Sequence, residues 1–378
     1  MRVALLTLMA TTACTSEMSA PRAPMAAVEA QRSTAGPLVV DEHSHIVAME
    51  YEAWFGPNAV TFQGTAARPI LQSSDMQSIG GGYDSADPRV IAQHVAWLER
   101  MDVDAAIVDL TNNVSCIFDS EWFVQRYLQK FNGCPTFRSA YQSIRDNTGN
   151  LYPAWTKLGT RLAIVPLLGA IDQNALIKDT DGKTAFEKEI DYFATLLRKY
   201  PERNVLYRGK PLMLIYLGAV PVLRPQVTQF LRGHPALGER FTFRLMAGFL
   251  DAQPSEQGTG LWSWVDRLAD PTFNRVDGRV ENLTVSIATM GQNGWSGPDV
   301  APRFGKDGQY VTLDAFMAYA RKLRPTFLIL HQFNEFTPPD EGTSANTDDD
   351  IEPANLWGFG ALNAVRSEIA AYRRTTRR

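Results

Sequence analysis

From residue 37 onward, short apolar runs alternate with stretches whose apolar residues recur every three or four positions. The first pattern predicts buried strands and the second amphipathic helices that pack on them. Strands are predicted at His45–Phe55, Asp104–Leu110, Arg161–Leu168, Pro211–Leu217, Phe241–Leu250, Leu261–Val265 (a short one), Glu281–Met290 and Thr326–Phe336. Asp87-Pro88 reads as an N-cap followed by proline at the first helical position. The helix it opens, to Met101, has Ile91, Val95, Leu98 and Met101 on one face. Thr184–Tyr200 repeats Phe186, Ile190, Phe193 and Leu197 in the same way, and Leu313–Leu323 and Ala354–Arg374 complete the helices. Strand and helix in regular alternation place residues 37–378 in the α/β class, as a single (β/α)8 TIM barrel. It has a long insertion after strand two, Thr111–Thr160, and an acidic loop after strand eight. An open doubly wound sheet is the alternative arrangement.

The residues before 37 read differently. Arg2, the apolar run Val3–Met9 and Thr11-Thr12-Ala13-Cys14 resemble an export signal, residues 1–14, with a bacterial lipobox at its end. An ordinary secretory signal with an incidental cysteine is the other reading. Residues 15–36, rich in Ala, Ser, Thr and Pro, read as a disordered tether. Export implies a periplasmic or outer-membrane lipoprotein that meets the membrane only through Cys14. An oxidising compartment makes a Cys116–Cys134 disulfide plausible, with two buried thiols as the alternative. The formal net charge of −4 gives no electrostatic reason to expect nucleic acid. A monomer is expected.

Barrels of this kind keep their chemistry where strands end. Ile329, His331, Phe333 and Glu335 are expected on one face of strand eight, with Glu335 at its end. A buried carboxylate is costly unless it is paired or used. Glycosyl transfer needs two carboxyl groups flanking the scissile bond, and no metal or organic cofactor. Glu341, in the following loop, can supply the second. Asp348–Asp350 are expected to be solvated. Further candidates to contact substrate are Glu50, Glu52 and Trp54 on strand one, Asp84 in the Gly-rich loop, and Asp109 and Asn112 after strand two. Tyr216, Trp262, Trp264 and Trp295 are candidate sugar platforms.

Three stretches carry a resemblance to a known family. MEYEAWFGP resembles the aromatic opening strand of glycoside hydrolase family 99-like barrels, relatives of endo-α-mannosidases. GGYDSADPRVIAQHVAWLERMDVDAAIVD resembles their "GYYDSxDPxVIxxHIxxAxxAGIDxFIVSW", and FNEFTPPDEG…DIEP their "WNEWxEGxxIEP". The resemblance implies a polysaccharide or oligosaccharide substrate and a catalytic pair in the last motif. Glu335 takes the place of the base toward the sugar 2-hydroxyl, and Glu341 that of the general acid. Asn334 falls on the motif's Asn and Glu352 on the Glu of its "IEP". The family places its two glutamates three positions apart; here Phe336 to Asp340 stand between them.

Two rival readings follow from the same residues. The altered loop is compatible with a catalytically silent carbohydrate-binding lipoprotein. His43 and His45 resemble the HxH of metal-dependent amidohydrolase barrels, although the later strands supply few of the further histidines that chemistry needs. A polysaccharide-assembly transferase is a third.

Overall fold

The computed structural model describes residues 36–63, 65–128, 134–169, 173–218, 223–248, 261–264, 268, 273–289, 300–336 and 344–376. The export signal and the tether up to residue 35, and with them Cys14, lie outside the described residues. No helix among the described residues is long and apolar enough to cross a membrane.

In chain order the strands are Leu38–Val40 (β1), Ile46–Tyr51 (β2), Ala105–Leu110 (β3), Ala163–Gly169 (β4), Val205–Tyr207 (β5) and Lys210–Tyr216 (β6). They continue as Thr242–Ala247 (β7), Leu261–Ser263 (β8), Phe273–Val276 (β9), Arg279–Ser286 (β10) and Phe327–His331 (β11). The α-helices are Pro88–Arg100 (α1), Val114–Phe118 (α2), Glu121–Tyr127 (α3), Cys134–Leu158 (α4), Ala185–Lys199 (α5), Arg224–Gly233 (α6), Pro235–Arg240 (α7), Val311–Leu323 (α8) and Gly360–Thr376 (α9).

Eight of the strands run parallel in the order β8-β7-β6-β4-β3-β2-β11-β10. They are the eight read from the sequence, the short sixth included. The remaining seam, between β8 and β10, is spanned by side chains. Thr284 Oγ1 donates to the Ser263 carbonyl at 2.5 Å, and Trp262 Nε1 donates to Glu281 Oε2 at 2.9 Å. The architecture is a (β/α)8 barrel.

Two residue sets explain the layering. Ile46, Ala48, Ala105, Ile107, Val165, Leu167, Leu214, Met246 and Ile329 pack together inside the ring. Their outward neighbours, such as Val47, Met49, Ala106, Ile164 and Leu328, pack with the helices. The period-two alternation of a strand divides the chain this way. The helices present matching stripes: Ile91, Val95 and Leu98 on α1, and Phe186, Ile190, Phe193 and Leu197 on α5, are buried. Asp87 caps α1 through the Arg89 N–H, and Thr184 and Glu187 form a capping box on α5.

Two expectations change, and one choice between alternatives is decided. The insertion Thr111–Thr160 is mostly the barrel's own helix: α4 lies against β3 and α1, with α2 and α3 ahead of it. Cys116 and Cys134, on α2 and α4, are joined as a disulfide with Cα atoms 5.6 Å apart. Strand eight ends at His331 rather than Phe336; the next peptide bond, to Gln332, is cis. Alternation stops there. Phe333 packs outward with Tyr51 and His94 and does not share the face of Ile329.

The three short strands that pattern alone missed are β1, β5 and β9. They form an apron at the N-terminal end of the ring, where β5 folds back on β6 and β9 on β10. Inside this end Glu281 is buried and accepts from Arg244, Tyr207, Trp262 and Asn274. Burial alone would raise its carboxyl; the bonds from Arg244 outweigh that and hold it below the ordinary range.

Candidate active site

The inward-facing positions at the C-terminal ends of the strands make one polar layer above the apolar interior. Glu50 ends the inward row of β2, Asp109 that of β3, Tyr216 that of β6, Trp264 follows β8, and His331 closes β11. Each sits one inward step above a residue of the barrel core.

His331 is the centre of this floor. Its Nδ1 is hydrogen-bonded to Glu50 Oε2, and its Nε2 lies 3.5 Å from Asp349 Oδ2. Gln332 Nε2 donates to the same Asp349 at 3.3 Å. Burial opposes a charge on His331, but the two carboxylates outweigh it and keep the imidazole protonated well above its usual range. Trp264 stands edge-on to His331 at 4.7 Å and leans on Tyr216 at 4.8 Å.

The acids around it carry raised pKa values. Burial pushes Glu50 up to about 7 against the pull of His331. Burial, reinforced by the charges of Glu335, Asp109 and Glu50, pushes Glu52 well above the carboxylate range. Asp109 rises to about 6 through burial, although it accepts from the Thr111 N–H at 2.7 Å. Clusters of buried carboxyls whose protons are held near neutrality are where acid–base chemistry is found.

Glu335 is buried at the rim of this floor, in the turn after β11. Its backbone N–H donates to Asp350 Oδ1 at 2.5 Å, and that of Phe336 to Asp350 Oδ2 at 3.0 Å. Phe336 has φ 47°, a left-handed backbone that the Asp350 carboxylate supports from both sides of the peptide. Asn334, just ahead, is clasped to β2: its Oδ1 accepts from the Glu52 N–H at 3.0 Å and its Nδ2 donates to the Glu52 carbonyl at 2.9 Å. One amide side chain thus sets the relative height of Glu52 and Glu335.

The arm 344–353 contradicts the expectation of solvated acids. Asp348, Asp349 and Asp350 are all buried. Arg303, itself without exposure, donates to the Asp348 carbonyl and carboxylate and to the Asp350 carbonyl while lying 4.0 Å over the Trp357 ring. The Asp349 carboxylate faces His331 and Gln332, and that of Asp350 accepts two backbone N–H groups, so each buried acid has its own partner.

The other expected residues divide. Trp54 packs beside the floor and donates to the Asp109 carbonyl at 3.3 Å. Asn112 is partly exposed just beyond β3. Asp84 closes the turn before α1, accepting from the Ala86 N–H at 2.8 Å. Trp262 points down the ring to Glu281. Glu352 is wholly buried, with its oxygens taken by Tyr83 at 2.7 Å and His94 at 3.2 Å. Both its oxygens therefore serve the packing of the motif. Glu341 and Trp295 lie outside the described residues. His43 and His45 precede β2 and so sit at the opposite end of the ring, with His43 beside Glu42 and His45 bonded to the Pro325 carbonyl. The HxH pair is thus at the wrong end for a metal on the strand C-termini.

Sequence reasoning places His331 on the inward face of strand eight and Asp349 and Asp350 in the acidic loop without giving any of them a site role, and it passes over Arg303. For His331 a signal existed, since it is two positions beyond Ile329. For the aspartates and Arg303 there was none, because their meaning comes from each other.

No protein-family model matches the chain, and no curated protein does. Among solved structures, a Bacteroides thetaiotaomicron endo-α-mannosidase of glycoside hydrolase family 99 covers 90% of this chain and 100% of its own. It does so at 15% identity with a TM-score of 0.52. In fold, the chain is similar to a family 99 endo-α-mannosidase. A second structure of that enzyme aligns at TM-score 0.49 with 15% identity, over 90% of this chain and 100% of its own. A glycoside hydrolase-like protein aligns at 0.49 with 11% identity, over 88% of this chain and 96% of its own. The likeness to the family 99 barrel agrees with the resemblance seen in the opening and closing motifs.

Proposed function

We propose that the protein is a glycoside hydrolase that cleaves a polysaccharide or oligosaccharide at this floor. The observation that carries the proposal is the placement of Glu335. It is a buried carboxylate at the C-terminal edge of a barrel strand, beside carboxyls that burial keeps protonated near neutral pH. Glycoside cleavage needs that combination of an ionised and a protonated carboxyl group. Glu335 acts on the sugar as base, and Glu341 protonates the leaving oxygen. Tyr216 and Trp264 offer an aromatic wall for a sugar ring, and Trp264 Nε1, buried and without a hydrogen-bond partner among the described residues, offers a donor to a hydroxyl.

The test is a screen of the purified protein against a polysaccharide panel, followed by Glu335→Gln and Glu341→Gln on any substrate found. Loss of a general acid or base costs about 10²–10⁴-fold in rate. Release of reducing ends that survives both substitutions ends this assignment. Binding without any cleavage favours a sugar-holding role instead.

A further inference from the structure

We propose that the substrate carries a positively charged amino group, as in a glycan with free hexosamine units, and that Glu50 and Glu52 receive it. This rests on the hydrolase reading and specifies its substrate.

Glu50 Oε1 and Glu52 Oε2 are buried and have no hydrogen-bond partner among the described residues. Both residues are about 1% exposed, Glu50 at the last inward position of β2 and Glu52 just past the strand end. A buried carboxyl oxygen left unpaired costs about 1–3 kcal/mol, more when charged. Two of them side by side at a barrel mouth mark a place where a donor is missing. The charged groups that act most strongly on the pair are Glu335, Asp109, Asp349 and His331, none of them a lysine or arginine. Of these only His331 is a cation, and it is already committed to Glu50 Oε2 and Asp349. Among these described groups the acids outnumber the cation.

A metal ion is the first alternative for such surplus, but among the described residues no three His, Cys, Asp or Glu side chains converge as a site requires. An ammonium group fits better. It brings three donors and a unit charge, and it can engage one oxygen from each glutamate. Tyr216 and Trp264 add aromatic faces on the same floor, which favour a cation further. The neutral hydroxyls of an ordinary sugar fill the hydrogen bonds but leave the charge unbalanced. The raised proton affinities of Glu50 and Glu52 follow from the same imbalance. A bound ammonium stabilises their ionised forms, so binding should release protons to the buffer.

The experiment compares glycan oligosaccharides of one backbone in their free-amine and N-acetylated forms, glucosamine and N-acetylglucosamine oligomers first, then galactosamine and mannosamine pairs. Titration calorimetry on the purified protein at about pH 6, in two buffers of different ionisation enthalpy, reads affinity and proton release together. The expected result is at least about tenfold tighter binding of one free-amine form with net proton release. Glu50→Gln and Glu52→Gln are each expected to reduce that preference and the released proton count. Free-amine forms that bind no tighter than the N-acetylated and unsubstituted ones overturn the proposal from the unmodified protein alone. If neutral glycans are then cleaved, the hydrolase reading survives without it; if no glycan binds, both fall.

Discussion

Asp350 holds Glu335 in place through the backbone: its two carboxylate oxygens take the N–H of Glu335 and of the residue after it, at 2.5 and 3.0 Å. An asparagine at 350 keeps the shape but presents one acceptor, leaving the second N–H opposite an NH₂ group. Asp350→Asn is expected to cost about 1–3 kcal/mol in stability. A catalytic group displaced by as little as about 1 Å loses on the order of 10²-fold in rate. Urea unfolding and turnover measured on the same preparation check both numbers, and wild-type turnover in a destabilised Asp350→Asn protein would show that this clamp is structural only.

The floor also predicts how stability depends on pH. Glu50 is raised from an ordinary 4.5 to about 7, and Asp109 from 3.8 to about 6. In the pH range between those values the folded chain binds protons that the unfolded chain has given up, so stability falls as pH rises. His331, also raised, contributes stability below its ordinary 6.5 that is lost as pH climbs through its folded value. All three act in one direction. Other groups titrate elsewhere, so the measurement is a difference: the Tm of Glu50→Gln minus that of the native protein, from about pH 5 to about pH 8. The difference should move in favour of the variant as pH rises, and a flat difference would mean that Glu50 titrates normally.

Much of this fold is legible in the sequence because the barrel repeats a single physical demand. On β2, β3, β4 and β6 the rows are apolar towards the C-terminal end, so Asp109 and Tyr216 stand out as polar residues that close apolar rows. The eighth strand shows where that logic stops. Nothing local says that its alternation ends at His331, since Gln332-Phe333-Asn334 continues a plausible strand pattern. Asp348–Asp350 show another limit. A run of acids looks solvated until Arg303, far away in sequence, is seen beneath it. Glu352 looked like a ligand contact and serves Tyr83 and His94 instead, a distinction that requires knowing which side of the motif faces inward.

Gly169, at the end of β4, gives a steric test of the floor. A Cβ there would lie 2.2 Å from the Thr111 carbonyl oxygen, in the segment that holds Asp109. Gly169→Ala is expected to destabilise by about 1–3 kcal/mol and to lower activity beyond what the unfolded fraction explains. Gly238 on α7 has open space around its Cβ position, and Gly238→Ala should be neutral or stabilising by up to about 1 kcal/mol. Thermal melts of the two variants side by side check the contrast.

The Cys116–Cys134 bond closes a short loop within a buried cluster that includes Phe123, Val124 and Leu128. Cys116→Ser is expected to lower unfolding free energy by roughly 3 kcal/mol, from the added freedom of the unfolded chain. Native protein unfolded with a reductant should approach the same midpoint. A midpoint indifferent to both treatments would show that the bond adds nothing.

Asp350 and Arg303 together have an architectural consequence. Asp350 holds the backbone of Glu335 and Phe336, while Arg303 and Phe304 hold Asp348, Asp350 and Asn346. The backbone that carries Glu335 is thus moored to an arm that rests on Arg303 and not to the strand that delivers it. A change at Arg303 would be felt at Glu335 although the two side chains share no bond among those described.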